Sequence, residues 1–215
     1  MTPPLSPPLN LIFDLDGTLW DTCPACAVAW NRALQDHAIP YREISTEDMR
    51  GVAGLPHGTC IRTVFHDLVE DQHRLLESHT AKGDMDAIRE LGGELYPGVP
   101  EGLEHLIANY PLYIVSNCQK GYIELFYEFS GLGRFFTDQE CWGNTGRPKA
   151  ENLRSLIVRN QLQNPVYIGD THGDADAAEA CGVPFLHAGW GYAEIPGART
   201  FASFGQLADF LLELQ

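Results

Sequence analysis

A few residues of this chain are of types, and at spacings, that could do chemistry together. Asp14 and Asp16 stand where the apolar run "LNLIF" ends, and Gly17 and Thr18 follow at once. "LYIV" runs into Ser116 and Asn117, "VYIG" runs into Asp170 with Asp174 four residues on, and "GRPKAEN" carries Lys149, one of three lysines in the chain. Ionised carboxylates a few ångströms apart repel and raise each other's pKa, so a carboxylate cluster built from these segments needs a counter-charge. All-oxygen donors with room for waters and a substrate phosphate suit Mg²⁺. Beside such an ion one aspartate can serve as an anionic nucleophile toward a phosphoryl group. Lys149 and Ser116 can answer the equatorial oxygens, and an acid two residues from the nucleophile can protonate the leaving oxygen and then activate water. Together these steps make up phosphomonoester hydrolysis.

Such side chains meet if the segments holding them are strands of one parallel sheet, because open parallel sheets bind ligands outside their carboxyl ends. "LNLIFD", "PLYIVSN", a weaker "DQECW", "PVYIGD" and "VPFLHA" have the short, apolar character of strands buried on both faces. Between the later ones, "VPEGLEHLIANY", "KGYIELFYEFSGLG", "PKAENLRSLIVRNQL" and "GDADAAEACG" place apolar residues at helical spacing, with stops at Gly131 and Gly182, and "FGQLADFLLEL" reads as a closing helix. The alternation predicts an α/β fold with a Rossmann-like parallel sheet core. From Asp21 to Gly93 it breaks off: helices are expected over 24–37, 45–50, 57–69 and 71–91, the second opened by Ser45 with Asp48 as in a capping box. The expected organisation is a core from residues 1–20 and 94–215 and an all-helical cap domain from 21–93, lying over the site as a lid. "GGELYPGVP" has the turn chemistry of a hinge between the two.

Composition narrows the partners. The chain has 215 residues and 23.8 kDa, enough to bury a real core. With 29 acids against 14 bases the net charge is −15, which argues against nucleic acid, since phosphate backbones need a basic surface. No apolar run approaches the roughly 20 residues of a membrane span, and the proline-rich start "MTPPLSPPLN", read as a loose segment, lacks a secretory signal's basic and apolar parts. The expectation is a cytoplasmic protein acting on a small phosphorylated metabolite, with no membrane partner; nothing in the sequence speaks to oligomeric state. Of the 6 cysteines only Cys23 and Cys26 are closely spaced, and no second Cys/His pair completes a zinc site, so all are read as reduced thiols.

"DLDGT", "VSN", the lysine of "RPKAEN" and "GDTHGD" resemble, in order, the four motifs of the haloacid dehalogenase superfamily. The resemblance covers the chain after residue 8, and the helical insert after the first motif is similar to the C1-type cap of the phosphoglycolate phosphatase and β-phosphoglucomutase-like subgroup. It implies Asp14 as the nucleophile forming a phosphoaspartyl intermediate and Asp16 as the general acid/base. Ser116, Asn117 and Lys149 would bind the phosphoryl group. Mg²⁺ would be held by Asp14, the backbone carbonyl of Asp16, and Asp170, with Asp174 supporting that shell. The one departure is that "GRP", rather than a lysine-proline-rich run, precedes Lys149.

Singly, each residue has a plainer reading. Asp16-Gly17 could be a turn, Ser116 a helix cap, Lys149 a solvated lysine and Asp174 a charge at a helix start. Jointly those readings must explain several strand-end coincidences. Within the family, Asp16 argues against dehalogenase and phosphonatase chemistry, which dispense with the second acid. A β-phosphoglucomutase-like phosphosugar mutase shares the core constellation, and a receiver-like phosphoaspartate switch shares the Asp cluster but carries no large lid. In the insert, Arg50 and His57 flank a Gly-rich turn and are candidates for substrate specificity, Arg50 because its planar fork suits a second anionic group.

Overall fold

The computed structural model describes residues 5 and 7–214; half of the proline-rich start, residues 1–4 and 6, lies outside them. Its centre is a six-stranded parallel sheet in the order β5-β4-β1-β6-β7-β8. The strands are β1 (Asn10–Phe13), β4 (Leu112–Ser116), β5 (Phe136–Cys141), β6 (Pro165–Gly169), β7 (Phe185–Ala188) and β8 (Arg199–Phe201). β1 lies between β4 and β6, with Phe13 registered against Ile114 on one side and Ile168 on the other.

Alternation along these strands builds two apolar layers. Leu11, Phe13, Ile114 and Ile168 join the larger core, where Phe13 stacks on Phe204 with ring centroids 5.9 Å apart. Phe204 opens α10 (Phe204–Leu212), which packs with α5 (Val99–Leu106). The neighbouring residues Ile12, Tyr113, Val115 and Tyr167 point the other way, onto Leu153 and Leu156 of α8 (Lys149–Arg159) and Ala178 of α9 (His172–Cys181). The predicted stops hold: α6 (Tyr122–Ser130) and α9 end at Gly131 and Gly182, whose φ values of 69° and 66° are left-handed.

Between β1 and β4 runs the expected helical block: α1 (Cys23–Asp36), α2 (Thr46–Arg50), α3 (His57–Val64) and α4 (Glu70–Leu91). The capping box of α2 is present, with the Ser45 hydroxyl accepting from the Asp48 N–H at 3.2 Å and the Asp48 carboxylate accepting from the Ser45 N–H at 2.8 Å. Trp30 stacks on Phe65 at 5.4 Å inside the block.

Three elements differ from the expectation. The edge strand β8 was not expected, because two of its three residues are exposed and it carries no apolar run. The helix expected over 57–69 stops at Val64, where Phe65 leaves helical geometry and turns its ring into the core. Finally, the segments entering and leaving the block pair as a short antiparallel ribbon of β2 (Trp20–Asp21) and β3 (Glu94–Leu95). Gly93 permits that crossing: a Cβ there would lie 2.7 Å from the Trp20 ring. Among the described residues no helix is long and apolar enough to cross a membrane.

Candidate active site

Because β1 is flanked by β4 and β6, all running one way, Asp14, Ser116 and Asp170 emerge together at the carboxyl edge of the sheet. Lys149 is the first residue of α8 and Asp174 lies in the first turn of α9, so both helices start beside that edge. All five side chains are buried. Lys149 Nζ donates to Asp14 Oδ1 at 2.8 Å and to Asp174 Oδ1 at 2.6 Å. Asp14, Asp170 and Asp174 each bring a carboxylate oxygen within 4.8 Å of the others.

The surrounding loops are fitted to these carboxylates. Asp174 is saturated by the protein: Oδ2 accepts from the Thr171 hydroxyl at 2.7 Å and N–H at 2.9 Å, and Oδ1 accepts from Tyr167 as well as Lys149. Asp170 accepts from the Thr18 hydroxyl at 3.2 Å and the Tyr192 N–H at 2.8 Å. Gly17 has φ +82°, and a Cβ on it would stand 2.1 Å from Asp170 Oδ2, so only glycine lets the loop after β1 pass this close.

Electrostatics separate the acids. Burial, and then the charge of Asp174, push the Asp14 carboxyl up to about 7, with Lys149 pulling the other way. Burial, reinforced by Asp174 and Asp14, raises Asp170 well above the ordinary range. Burial would also raise Asp174, but Lys149 and the Thr171 hydrogen bonds outweigh it and hold that carboxyl low. Burial works against the ammonium of Lys149, yet Asp14 and Asp174 overcome it and keep the lysine charged. One ammonium thus faces three carboxylates, all-oxygen donors short of positive charge, and a hard divalent cation fits both the donor chemistry and the deficit. With Asp174 saturated, Asp14 and Asp170 remain the carboxylates able to hold it.

Asp16, like Asp14, lines a cavity of about 90 Å³ between the sheet edge and the helical block. Its Oδ1 accepts from the Tyr122 hydroxyl at 2.6 Å, and Thr22 lies 2.6 Å from the same hydroxyl. Burial pushes the Asp16 carboxyl up to about 6, with the Tyr122 hydrogen bond opposing it. Ser116 and Asn117 also line the cavity. The Ser116 hydroxyl accepts from the Cys118 N–H at 3.2 Å, whereas Asn117 spends its amide on the Gly54 carbonyl at 2.8 Å, tying the sheet edge to the helical block. His57 lines the cavity too.

Arg50 is placed differently from the expectation that it would meet a second anionic group. It forks onto Asp21 Oδ2 at 3.1 and 2.8 Å and reaches Glu47 at 2.6 Å, away from the residues lining the cavity. The physical cause is Asp21, a buried carboxylate at the ribbon that needs a counter-charge. The cysteines are free, and burial raises the Cys23 and Cys26 thiols, so both remain neutral in the cavity wall.

The sequence places Thr22, with Trp20 and Asp21, near the mouth of the site, but gives no such indication for Tyr122, Tyr192 and Asp84. Thr22 follows the first motif closely, and Gly191 before Tyr192 marks a tight approach, since a Cβ there would sit 2.3 Å from Asp170 Cβ. Tyr122 and Asp84 lie inside helical patterns and carry no local signal.

The described geometry has close relatives. Residues 11–188 match the family model "Haloacid dehalogenase-like hydrolase". The chain is similar to a phosphoglycolate phosphatase of Photobacterium profundum, 30% identical over 217 residues and covering 93% of both chains. It is 29% identical to a phosphoglycolate phosphatase of Vibrio parahaemolyticus, over 85% of this chain and 84% of that one. A haloacid dehalogenase-like family hydrolase from Streptococcus pneumoniae shares the fold with a TM-score of 0.76, at 22% identity, over 94% of this chain and 97% of the other. With most of its length matched by the family model and a relative aligned nearly end to end, this chain belongs to the haloacid dehalogenase-like hydrolases.

Proposed function

We propose that this enzyme is a Mg²⁺-dependent phosphatase of the phosphoglycolate phosphatase-like group, hydrolysing a small phosphomonoester through Asp14. The observation that carries the reading is the Lys149 ammonium held between Asp14 and Asp174, with Asp14 lining the cavity beneath the helical block. Asp14 attacks phosphorus, forming a phosphoaspartyl bond as the P–O bond to the alcohol breaks. Asp16, facing the cavity from two residues away, gives its proton to the departing alkoxide; as a carboxylate it then takes a proton from the water that splits the acyl phosphate. Lys149 and Ser116 steady the phosphoryl oxygens, with Asn117 beside them. Tyr122 and Thr22 orient Asp16. Mg²⁺, held by Asp14, the Asp16 carbonyl and Asp170, would neutralise phosphoryl charge, and Asp174 fixes Lys149 and the loop of Asp170.

Residues 21–93 serve as the cap, hinged at the ribbon of β2 and β3, and cap closure excludes water during the first step. The test is phosphate release from a panel of small phosphomonoesters with and without Mg²⁺, using Asp14→Asn as control. Metal-dependent release that disappears in the variant supports the reading. Absence of release from every ester contradicts it.

A further inference from the structure

The part of the cavity wall that the helical block contributes takes no part in that chemistry, yet it is polar. It is built around Asp84 of α4, which is 4% exposed. Asp84 Oδ1 accepts from Trp30 Nε1 at 3.0 Å, and Oδ2 lies 3.4 Å from Gln119 Nε2 and 3.7 Å from His57 Nδ1. The tautomer of His57 follows from its other neighbour. Thr80 donates its hydroxyl proton to the Leu76 carbonyl at 2.8 Å, so at 2.9 Å from His57 Nε2 it accepts, and the ring proton sits on Nε2. Burial keeps this imidazole below its ordinary pKa, hence neutral. Its Nδ1 therefore offers a lone pair, answered only by a long contact of 3.4 Å from the Gln119 amide.

This wall has no positive charge to give. Among the described residues no Arg or Lys lines the cavity, and Arg50 is spent on Asp21 and Glu47. With no cation beside it, burial pushes the Asp84 carboxyl up to about 8. The remaining surface there is apolar, with Met49, Val52 and Leu55 among its residues. A leaving group ending in a carboxylate would bury its charge with no cation to answer it and, wherever Asp84 is ionised, beside a like charge. A hydroxyl end group would find acceptors at Asp84 and His57 in either state. An ammonium would supply the counter-charge that Asp84 lacks.

Resting on the phosphatase reading, we infer that the substrate is a short phosphomonoester whose far end is a hydrogen-bond donor, hydroxyl or ammonium, read by Asp84 and His57, and that anionic end groups are rejected. Asp84 is then a specificity-determining residue, and the preference departs from the ester named for the relatives above.

The experiment compares kcat/KM of the full-length enzyme with Mg²⁺ on four esters of matched length: 2-hydroxyethyl phosphate, phosphoethanolamine, ethyl phosphate and phosphoglycolate. We expect at least one of the two donor esters to exceed both ethyl phosphate and phosphoglycolate by about tenfold or more. In Asp84→Asn the ratio of that donor ester to ethyl phosphate should fall about tenfold, and the ratio of phosphoglycolate to ethyl phosphate should rise. Ratios within one variant are insensitive to a partly unfolded preparation. Phosphoglycolate as the best wild-type ester would overturn the inference while leaving the phosphatase reading standing. So would an Asp84→Asn variant that lowers all four esters equally, the mark of a merely structural tie between Asp84 and Trp30. No Mg²⁺-dependent release from any of the four, nor from p-nitrophenyl phosphate, would overturn both readings together.

Discussion

Lys149 reaches from the first turn of α8 to donate to Asp14 at the end of β1, across 135 positions of sequence and at 2.8 Å. The same nitrogen holds Asp174 at 2.6 Å. One ammonium thus ties the proposed nucleophile to the carboxylate proposed to support a metal shell, an arrangement that the parallel neighbours β1 and β6 make possible.

Lys149→Met should therefore cost both activity and stability. Removing one partner of a buried ion pair leaves the other charge unanswered, typically about 3–5 kcal/mol, and the phosphoryl group loses a charged donor, a loss of about 10²–10³ in kcat. Urea unfolding and steady-state phosphate release read the two effects. A variant as stable and as active as the parent would contradict the placement of Lys149.

Gly17→Ala should abolish turnover. Its backbone is left-handed and its Cβ would stand 2.1 Å from Asp170 Oδ2, so either the loop after β1 or Asp170 must move. A loss of about 10²-fold or more is expected for a misplacement of this kind at a reacting centre. Activity within threefold of the parent would show that the loop yields more easily than the geometry says.

Arg50→Ala tests the corrected role of that residue. Arg50 answers Asp21 beside the ribbon rather than the cavity, so its loss should lower stability by about 1 kcal/mol, discounted for its partial exposure. The ratio of kcat/KM between phosphoglycolate and ethyl phosphate should move less than threefold. A selective loss on the anionic ester would restore Arg50 as a substrate contact.

Asp84 predicts a pH dependence of stability. Burial raises its carboxyl from 3.8 to about 8 in the folded protein, so between those values the folded state holds a proton that the unfolded state has released. Its contribution is fully present below about pH 4 and is lost as pH rises through about 8. The stability of Asp84→Asn relative to the parent should therefore improve between pH 5.5 and 8, by about 3 kcal/mol if the full slope of about 1.36 kcal/mol per pH unit applies. Denaturant melts at the two pH values measure it, and a difference independent of pH would show that Asp84 ionises normally.

The parts of the fold legible in the sequence were those whose cause is local. β1, β4 and β6 are apolar runs leading into polar residues, β7 is a short apolar run, and Gly131 and Gly182 announce their helix ends. β8 was illegible because its pairing with β7 is read from backbone bonds, not from side chains that must be buried. The convergence of Asp14, Lys149, Asp170 and Asp174 followed from strand ends sharing an edge. The role of Arg50 did not, since nothing near it in sequence shows that Asp21, 29 positions earlier, is buried at the ribbon and needs it. Asp84 looked like one more acid on a polar helix until α1 and α3 closed over it.

The most direct test of the central claim is to trap the phosphoaspartate. Asp16→Asn, which lacks the base for the second step, should be mixed with Mg²⁺ and p-nitrophenyl phosphate, whose leaving group needs no proton, then quenched in acid and mapped by mass spectrometry. Phosphate on the peptide containing Asp14, absent when Asp14 is also replaced by Asn, is the predicted result. Phosphate release by Asp14→Asn at the parent's rate, or a phosphoryl group carried on another residue, would contradict it.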